Sequence, residues 1–485
     1  MSGVQYSAAV SKRSPDLGLS LGAQRDAALQ RAAHHVLRAW NDFDHAREIE
    51  TVPSADLVEL LHAPLPEQAS DVLSMIDHAA EVLDASLAQS RPRYFAFIGS
   101  SGLEVGALAD LLAHSYDINL AVDARAATQL EWQAVHWLAE FLGYPAATGS
   151  FTSGGTISNI TALASAREAA IPGARRRGLG AERPSMYCSS EAHYSITRAA
   201  EVLGIGSEQV RAIEIDGERR MRPDLLRERL VADVAEGRTP IAIVATGGTT
   251  LTGAVDPIDE LADVASEFGV WLHVDGAYGL PAATVPNTRE LFRGVERADS
   301  ITVDCHKWMF VPKACSAVLV RDGSTLTRAF AHDEAYMPHE GEQFNAVDIT
   351  LEYSRPFRAL KLWLALATHG AAALRYAVAR NCEQAQMLYS LAQEHGSLET
   401  LANRPQLSIV PLRVMATGCT NPDEHNEALC AKMQTDGRVF VSSATIDAHT
   451  WLRPCFTNFR TSDDDVRTLV EVVLELGSRC STLHR

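Results

Sequence analysis

With 485 residues the chain exceeds what one hydrophobic core usually supports, so two or three structural units are expected. Its hydrophobic share of 46% and charged share of 21% are ordinary for a soluble globular protein, and a net charge of -18 argues against a nucleic-acid backbone or an anionic membrane as partner. No apolar run reaches the ~18 residues of a membrane span, no signal-peptide stretch opens the chain, and the eight cysteines show no C-x-x-C spacing, so a cytoplasmic protein with reduced thiols and no metal site is expected.

In chain order, Ala23–Trp40 carries apolar residues at helical spacing, Ser54 is placed to cap a helix to Leu61, and a third helix fits Ala69–Ser90. These form an N-terminal helical arm, 1–92, able to pack on its own domain or on a partner subunit. The next region, 93–365, alternates helices with short β-branched runs. Glu131–Leu142 is amphipathic, with Trp132, Val135, Leu138 and Leu142 on one face. Ile241–Thr246, Trp271–Asp275 and Ser300–Asp304 read as strands, and Ile258–Phe268 as a helix between two of them. The pattern predicts an α/β unit whose mainly parallel sheet is flanked by helices. Ligands of such sheets bind beyond the carboxyl ends of the strands, where Thr246, Asp275 and Asp304 fall. After Lys361–Ala367 come a long helix, candidate strands Leu407–Val414 and Arg438–Ser442, and a helix over Asp463–Leu476. This is read as a small α+β unit, 366–485.

Four groups of residues carry chemistry. Phe151-Thr-Ser-Gly-Gly-Thr-Ile-Ser-Asn159 precedes a helical stretch, Ile160–Glu168, and Gly155 and Thr156 would offer backbone N–H groups to a phosphate; the plainer reading is a Gly-rich helix entry. Asp275 ends a strand beside small residues, where a carboxylate faces a bound ring or merely caps a turn. Lys307 follows a buried strand between apolar runs, a poorly solvated setting in which its amine becomes nucleophilic. His193, in Glu-Ala-His-Tyr-Ser, would stack on a ring; a lone histidine is more often structural.

Together, in order and spacing, FTSGGTISNITALASAR, EAHYSI, IVATGGTTLTGAVDPIDELADVASEFGVWLHVDGAYG, VDCHKW and SRPFRALKLW resemble the group II pyridoxal-phosphate amino-acid decarboxylases. The resemblance covers roughly residues 50–475. It implies fold type I, pyridoxal 5′-phosphate as cofactor, Lys307 as the Schiff-base lysine and Asp275 as the partner of the pyridine nitrogen. It implies His193 as the stacking imidazole, Ala277 as the small residue beside the ring, and Gly155, Thr156 and His306 as phosphate contacts. Thr250 would lie near the cofactor's hydroxyl edge. Tyr336 is the implied proton donor to a quinonoid intermediate. The implied reaction releases CO2 and a primary amine from an L-amino acid, in a homodimer with sites at the subunit boundary. Asn119, Ala121, Asp123 and Arg125 depart from the aromatic-amino-acid enzymes and favour a polar or unusual substrate side chain. Oxidative deamination to an aldehyde, another lyase or transferase reaction, and a non-catalytic interaction protein are the alternatives.

Overall fold

Three helices open the chain: α1 (Arg25–Phe43), α2 (Ala55–Leu61) and α3 (Val72–Asp84). The computed structural model describes residues 19–46, 53–332 and 345–478. Ser54 caps α2 by accepting the Leu57 N–H at 3.2 Å, as its position predicts, and Asp71 caps α3 through Ser74 at 2.9 Å. Arg31 and His35 on α1 each lie 2.6 Å from Asp77 on α3. These helices bury few side chains: Leu29, Leu37, Leu61 and Leu83 are all more than half exposed. Among the described residues, 19–43 and 53–88 form one structural unit, and 44–46 with 89 onward form another.

The second unit starts with α4 (Glu104–Tyr116), α5 (Ala126–Leu142), β1 (Thr148–Thr152), α6 (Gly155–Ala170) and α7 (Ala174–Arg177). It continues with β2 (Pro184–Ser189), α8 (Ser195–Val202), β3 (Val210–Ile213), α9 (Pro223–Ala235), β4 (Thr239–Thr246), α10 (Ile258–Phe268) and β5 (Trp271–Asp275). Then come β6 (Ser300–Val303), β7 (Ser316–Val320), α11 (Ser324–Phe330) and α12 (Ala359–Gln393). The last elements are β8 (Leu398–Thr400), β9 (Leu412–Val414), α13 (Pro422–Asp436), β10 (Ser443–Ile446), β11 (His449–Leu452) and α14 (Asp463–Gly477).

Seven strands form one sheet in the order β1-β7-β6-β5-β4-β2-β3. β3, β2, β4, β5 and β6 are parallel, and β7 runs antiparallel to both β6 and β1. Both faces are covered. Ile243, Ala245 and Val274 pack with Leu138 of α5 and Leu261 of α10. Ala242 and Val244 pack with Leu163 of α6 and Ile196 of α8. Burial on both sides explains why these strands read as unbroken apolar runs. A second, antiparallel sheet has the order β10-β11-β9-β8 and packs on Leu388, Leu429 and Leu469 of α12, α13 and α14.

Several expectations need correction. Arg438–Ser442 is not a strand of that sheet. Its Phe440 instead makes one bridge to Tyr94, with the Phe95 N–H donating to Phe440 O at 2.7 Å, because the 93–95 segment lies against it. Of Leu407–Val414, only the last three residues are strand. Helix α6 begins at Gly155, ahead of the expected Ile160. Trp132 does not share the buried face of α5 and is 44% exposed; Glu131 is buried in its stead, paired with Arg355. The boundary expected at residue 365 falls within α12, ahead of its break at Gly370 (φ 76°). Among the described residues Cys188, Cys305, Cys315, Cys382, Cys430 and Cys455 are free thiols. Among the described residues no helix is long and apolar enough to cross a membrane.

Candidate active site

The parallel strands deliver their carboxyl ends to one side of the large sheet, and adjacent registers bring those ends together. Thr246 at the end of β4 pairs with Asp275 at the end of β5, which pairs with Thr302 of β6. One cavity there is lined by Gly155, Thr156, Asn159, His193, Ser195, Thr246, Thr250, Asp275, Ala277, Asp304 and Lys307, among others. Of the residues singled out in the sequence, Gly155, Thr156, His193, Thr250, Asp275, Ala277 and Lys307 therefore converge. His306 is not part of this lining; its Nδ1 lies 2.9 Å from the Cys315 carbonyl. Tyr336 lies outside the described residues. Asn119 is not part of the lining either: its Oδ1 accepts from the Ala121 and Arg355 N–H groups at 3.0 and 2.9 Å. Asp123 Oδ1 accepts the Arg125 N–H at 2.9 Å.

Lys307 is held from behind by its neighbour. Trp308 is fully buried, stacks on Tyr278 at 5.1 Å and donates its indole N–H to Asn381 at 3.0 Å. The partner of Lys307 Nζ is a carboxylate, Asp304 Oδ2 at 2.8 Å, not the apolar surroundings that the flanking sequence suggests. Burial pushes the Asp304 carboxyl up, but Lys307 and His306 outweigh it and hold the group below the usual range. Asp275 is buried, and it accepts from Asn159 Nδ2 at 2.9 Å and from the Ala277 N–H at 3.2 Å. Burial holds the His193 imidazole below its usual value against the opposing pull of Asp275.

A second lobe opens beside this cavity. Phe97, Ile98, Thr250, Leu251, Ser442, Ser443 and Arg453 wall it together with His193 and Lys307. Arg453 is 3% exposed; Nε donates to Thr250 O at 2.8 Å and Nη1 to Phe97 O at 3.1 Å, while Nη2 is buried with no hydrogen-bond partner. Sequence reasoning missed Arg453 and Asn159, and gave Asp304 no role beyond its strand end. The signals were there: Asn159 closes the Gly-rich segment 151–159, and Arg453 directly follows the apolar pair Trp451 and Leu452.

The lining fits pyridoxal phosphate on three observations. Thr246 Oγ1 and Asp304 Oδ1 are buried in it without partners, so polar groups of a ligand have acceptors and donors waiting. A Cβ on Gly155 would come within 2.9 Å of Asp304 Oδ2 and 3.2 Å of the Ala277 methyl, so only glycine leaves the α6 entrance open. Helix α6 has no side-chain cap, and Gly155 and Thr156, its first two residues, line the cavity, where helix-start N–H groups attract an anion. The acidic group on that side, Asp304, is neutralised by Lys307.

Comparison with known proteins agrees. Residues 54–415 match the pyridoxal-dependent decarboxylase conserved domain. The chain is 30% identical to an aromatic-L-amino-acid decarboxylase of Bacillus atrophaeus over 96% of its own length and 98% of the relative's. It is 33% identical to the cysteine sulfinic acid decarboxylase of Mus musculus over 64% of each chain. The crystal structure of Oryza sativa TDC with pyridoxal phosphate and tryptamine superposes with a TM-score of 0.88 at 25% identity, covering 96% of this chain and 99% of that one. The α/β architecture is that of fold type I pyridoxal-phosphate enzymes, and pyridoxal 5′-phosphate is the cofactor. With the site's geometry and these relatives in agreement, the chain belongs to the pyridoxal-dependent decarboxylase family and is a carboxy-lyase.

Proposed function

We propose that this enzyme decarboxylates an L-amino acid to CO2 and a primary amine, with Lys307 holding the cofactor. The observation that carries the reading is the meeting of Lys307, Asp275, His193 and the α6 entrance in one cavity that opens toward Arg453. When bound, pyridoxal phosphate supplies an electron-accepting ring that stabilises the electron pair left at Cα when CO2 departs. Lys307 would hold it covalently through Nζ, with Asp304 placed to take or return the Nζ proton. Asp275, anchored by two donors, would keep a proton on the ring nitrogen. Gly155 and Thr156 would bind the phosphate at the start of α6. The unpaired Nη2 of Arg453 would take the substrate carboxylate, fixing the direction of the bond to be broken. His193 would stack on the ring. Protonation of Cα is assigned to Tyr336 on the sequence resemblance alone.

The exposed apolar side chains of α1–α3, and Leu108, Leu111 and Leu112 along α4, support a homodimer. Sedimentation should show one; a fully active monomer would overturn this. The function itself is tested with a panel of amino acids, including aromatic ones and cysteine sulfinic acid, on the cofactor-loaded protein. CO2 and amine in equal amounts without oxygen uptake are expected. Aldehyde with peroxide would refute simple decarboxylation. Lys307→Ala should lose both the visible absorbance of the bound cofactor and turnover.

A further inference from the structure

We propose that Asn159 is a positioning residue that ties the charge of Asp275 to the tautomer of His193, so that the imidazole presents its Nε2–H to the cavity. The inference rests on the assignment of both residues to the cofactor site above. It comes from an unbroken series of hydrogen bonds behind the cavity. The series runs Trp271, Ser300, His273, Asn159, Ser195, His193, with Asp275 joined at Asn159. Asn159, Ser195, His273 and Ser300 are each at most 1% exposed, so no bulk water offers the protons another route.

The direction of every bond follows from what each group is able to give. An indole N–H only donates, so Ser300 Oγ accepts from Trp271 at 2.8 Å and keeps its own hydrogen to offer to His273 Nδ1, 2.8 Å away. Ionised Asp275 only accepts, so the group of Asn159 that faces it at 2.9 Å is the NH2. The carbonyl of Asn159 then faces His273 Nε2 at 3.1 Å, which must carry the hydrogen. A neutral His273 satisfies both neighbours, and burial lowers its pKa to about 4. The second hydrogen of the Asn159 amide goes to Ser195 Oγ at 3.0 Å, so the hydroxyl keeps its own hydrogen to give to His193 Nδ1 at 2.8 Å. The Ser195 backbone N–H points at the same Nδ1 from 3.3 Å. Nδ1 is thus an acceptor, and the proton of the neutral ring sits on Nε2. Turning the Asn159 amide over would set its oxygen against the Asp275 carboxylate, so the charge that serves the cofactor nitrogen also keeps His193 a donor.

The test combines histidine-ring ¹⁵N spectra with cofactor titrations, the His193 signals being identified by their loss in His193→Gln. In the wild type, with and without cofactor, Nε2 should be protonated and Nδ1 bare. Asn159→Asp replaces the donor with an acceptor. The Ser195 hydroxyl should turn to it, the His193 pattern should change, and cofactor affinity should fall at least ~10-fold as Asp275 loses its donor. Ser195→Ala breaks only the branch to His193. It should keep cofactor affinity within ~2-fold, populate a second His193 tautomer and lower kcat ~10-fold at little-changed KM, with rescue by Ser195→Thr. A wild-type ring protonated on Nδ1 overturns the proposal. So does an Asn159→Asp protein with unaltered His193 signals and cofactor affinity. If that variant does not fold, unchanged His193 signals and kcat in Ser195→Ala decide against it. Since the ring spectra of the cofactor-free protein do not depend on the reaction, a wrong reaction assignment would leave them as they are.

Discussion

Removing the guanidinium of Arg355 is the sharpest test of how the cavity is supported. Arg355 is 3% exposed and pairs with the buried Glu131. It also donates to Leu120 O at 3.3 Å, Ser150 Oγ at 3.3 Å and Phe151 O at 3.1 Å. Phe151 lies on β1, just ahead of the Gly155 entrance, so this cation holds the strand that leads into the cavity. Arg355→Met keeps the length of the stem but leaves Glu131 buried and uncompensated. Breaking a buried pair from one side costs roughly 3–5 kcal/mol. The three lost bonds add to that, although not independently, so about 4 kcal/mol is expected. That is a large part of the ~5–15 kcal/mol by which a domain is usually stable. Urea unfolding should show a lower midpoint at an unchanged slope. Replacing both partners, Glu131→Leu with Arg355→Met, removes both charges and should recover to within about 2 kcal/mol of the wild type. A single variant within about 1 kcal/mol of wild type would refute the reasoning, as would a double variant no more stable than the single one.

Gly155→Ala should push Asp304 away from Lys307 and weaken cofactor binding ~10-fold or more, read by absorbance titration; unchanged affinity would show that the entrance has room to spare. His273 has its pKa depressed from 6.5 to about 4 by burial, so the stability it contributes is present above pH 6.5 and is lost as pH falls toward 4. The loss at pH 5 should be about 2 kcal/mol, and His273→Gln should flatten that part of the stability profile; an identical profile in wild type and variant would refute it. Arg219 joins the buried Glu191, two residues before His193, to Asp447 in the turn between β10 and β11. Arg219→Ala should lower stability by about 3 kcal/mol in denaturant unfolding, since Glu191 loses this cation from a nearly buried side chain. An unchanged midpoint would mean that water replaces the arginine.

Some elements were legible because local chemistry and tertiary setting agree. Trp271–Asp275 and Ile258–Phe268 appear with the bounds that β-branched content and helical periodicity predict. Ser54 reads as a cap and acts as one. Other elements were hidden by competition. Arg438–Ser442 has strand composition, yet its backbone bonds to residues 93–95, far away in the chain. The Gly-rich segment before Ile160 reads as a loop, but the cradle of Asp304 and Ala277 around Gly155 lets the helix start there. Trp132 and Glu131 exchange the faces that hydrophobicity assigns them, because Arg355 comes to meet Glu131 from 224 residues away.

For the site the division is equally physical. The residue types alone determined which chemistry is on offer: a lysine after a strand, a carboxylate at a strand end, a glycine entrance to a helix and an imidazole, in the family's order. Those are covalent properties, carried wherever the residue goes. What only the tertiary structure decided is who faces whom. It set Asp304 rather than apolar side chains against Lys307, turned His306 Nδ1 to the Cys315 carbonyl, and brought the unpartnered Nη2 of Arg453 to the cavity's second lobe. It also set the direction in which protons are donated from Trp271 to His193. A hydrogen bond's direction depends on both partners, and Asn159 meets Asp275 across 116 residues of chain, a distance over which sequence periodicity carries no information.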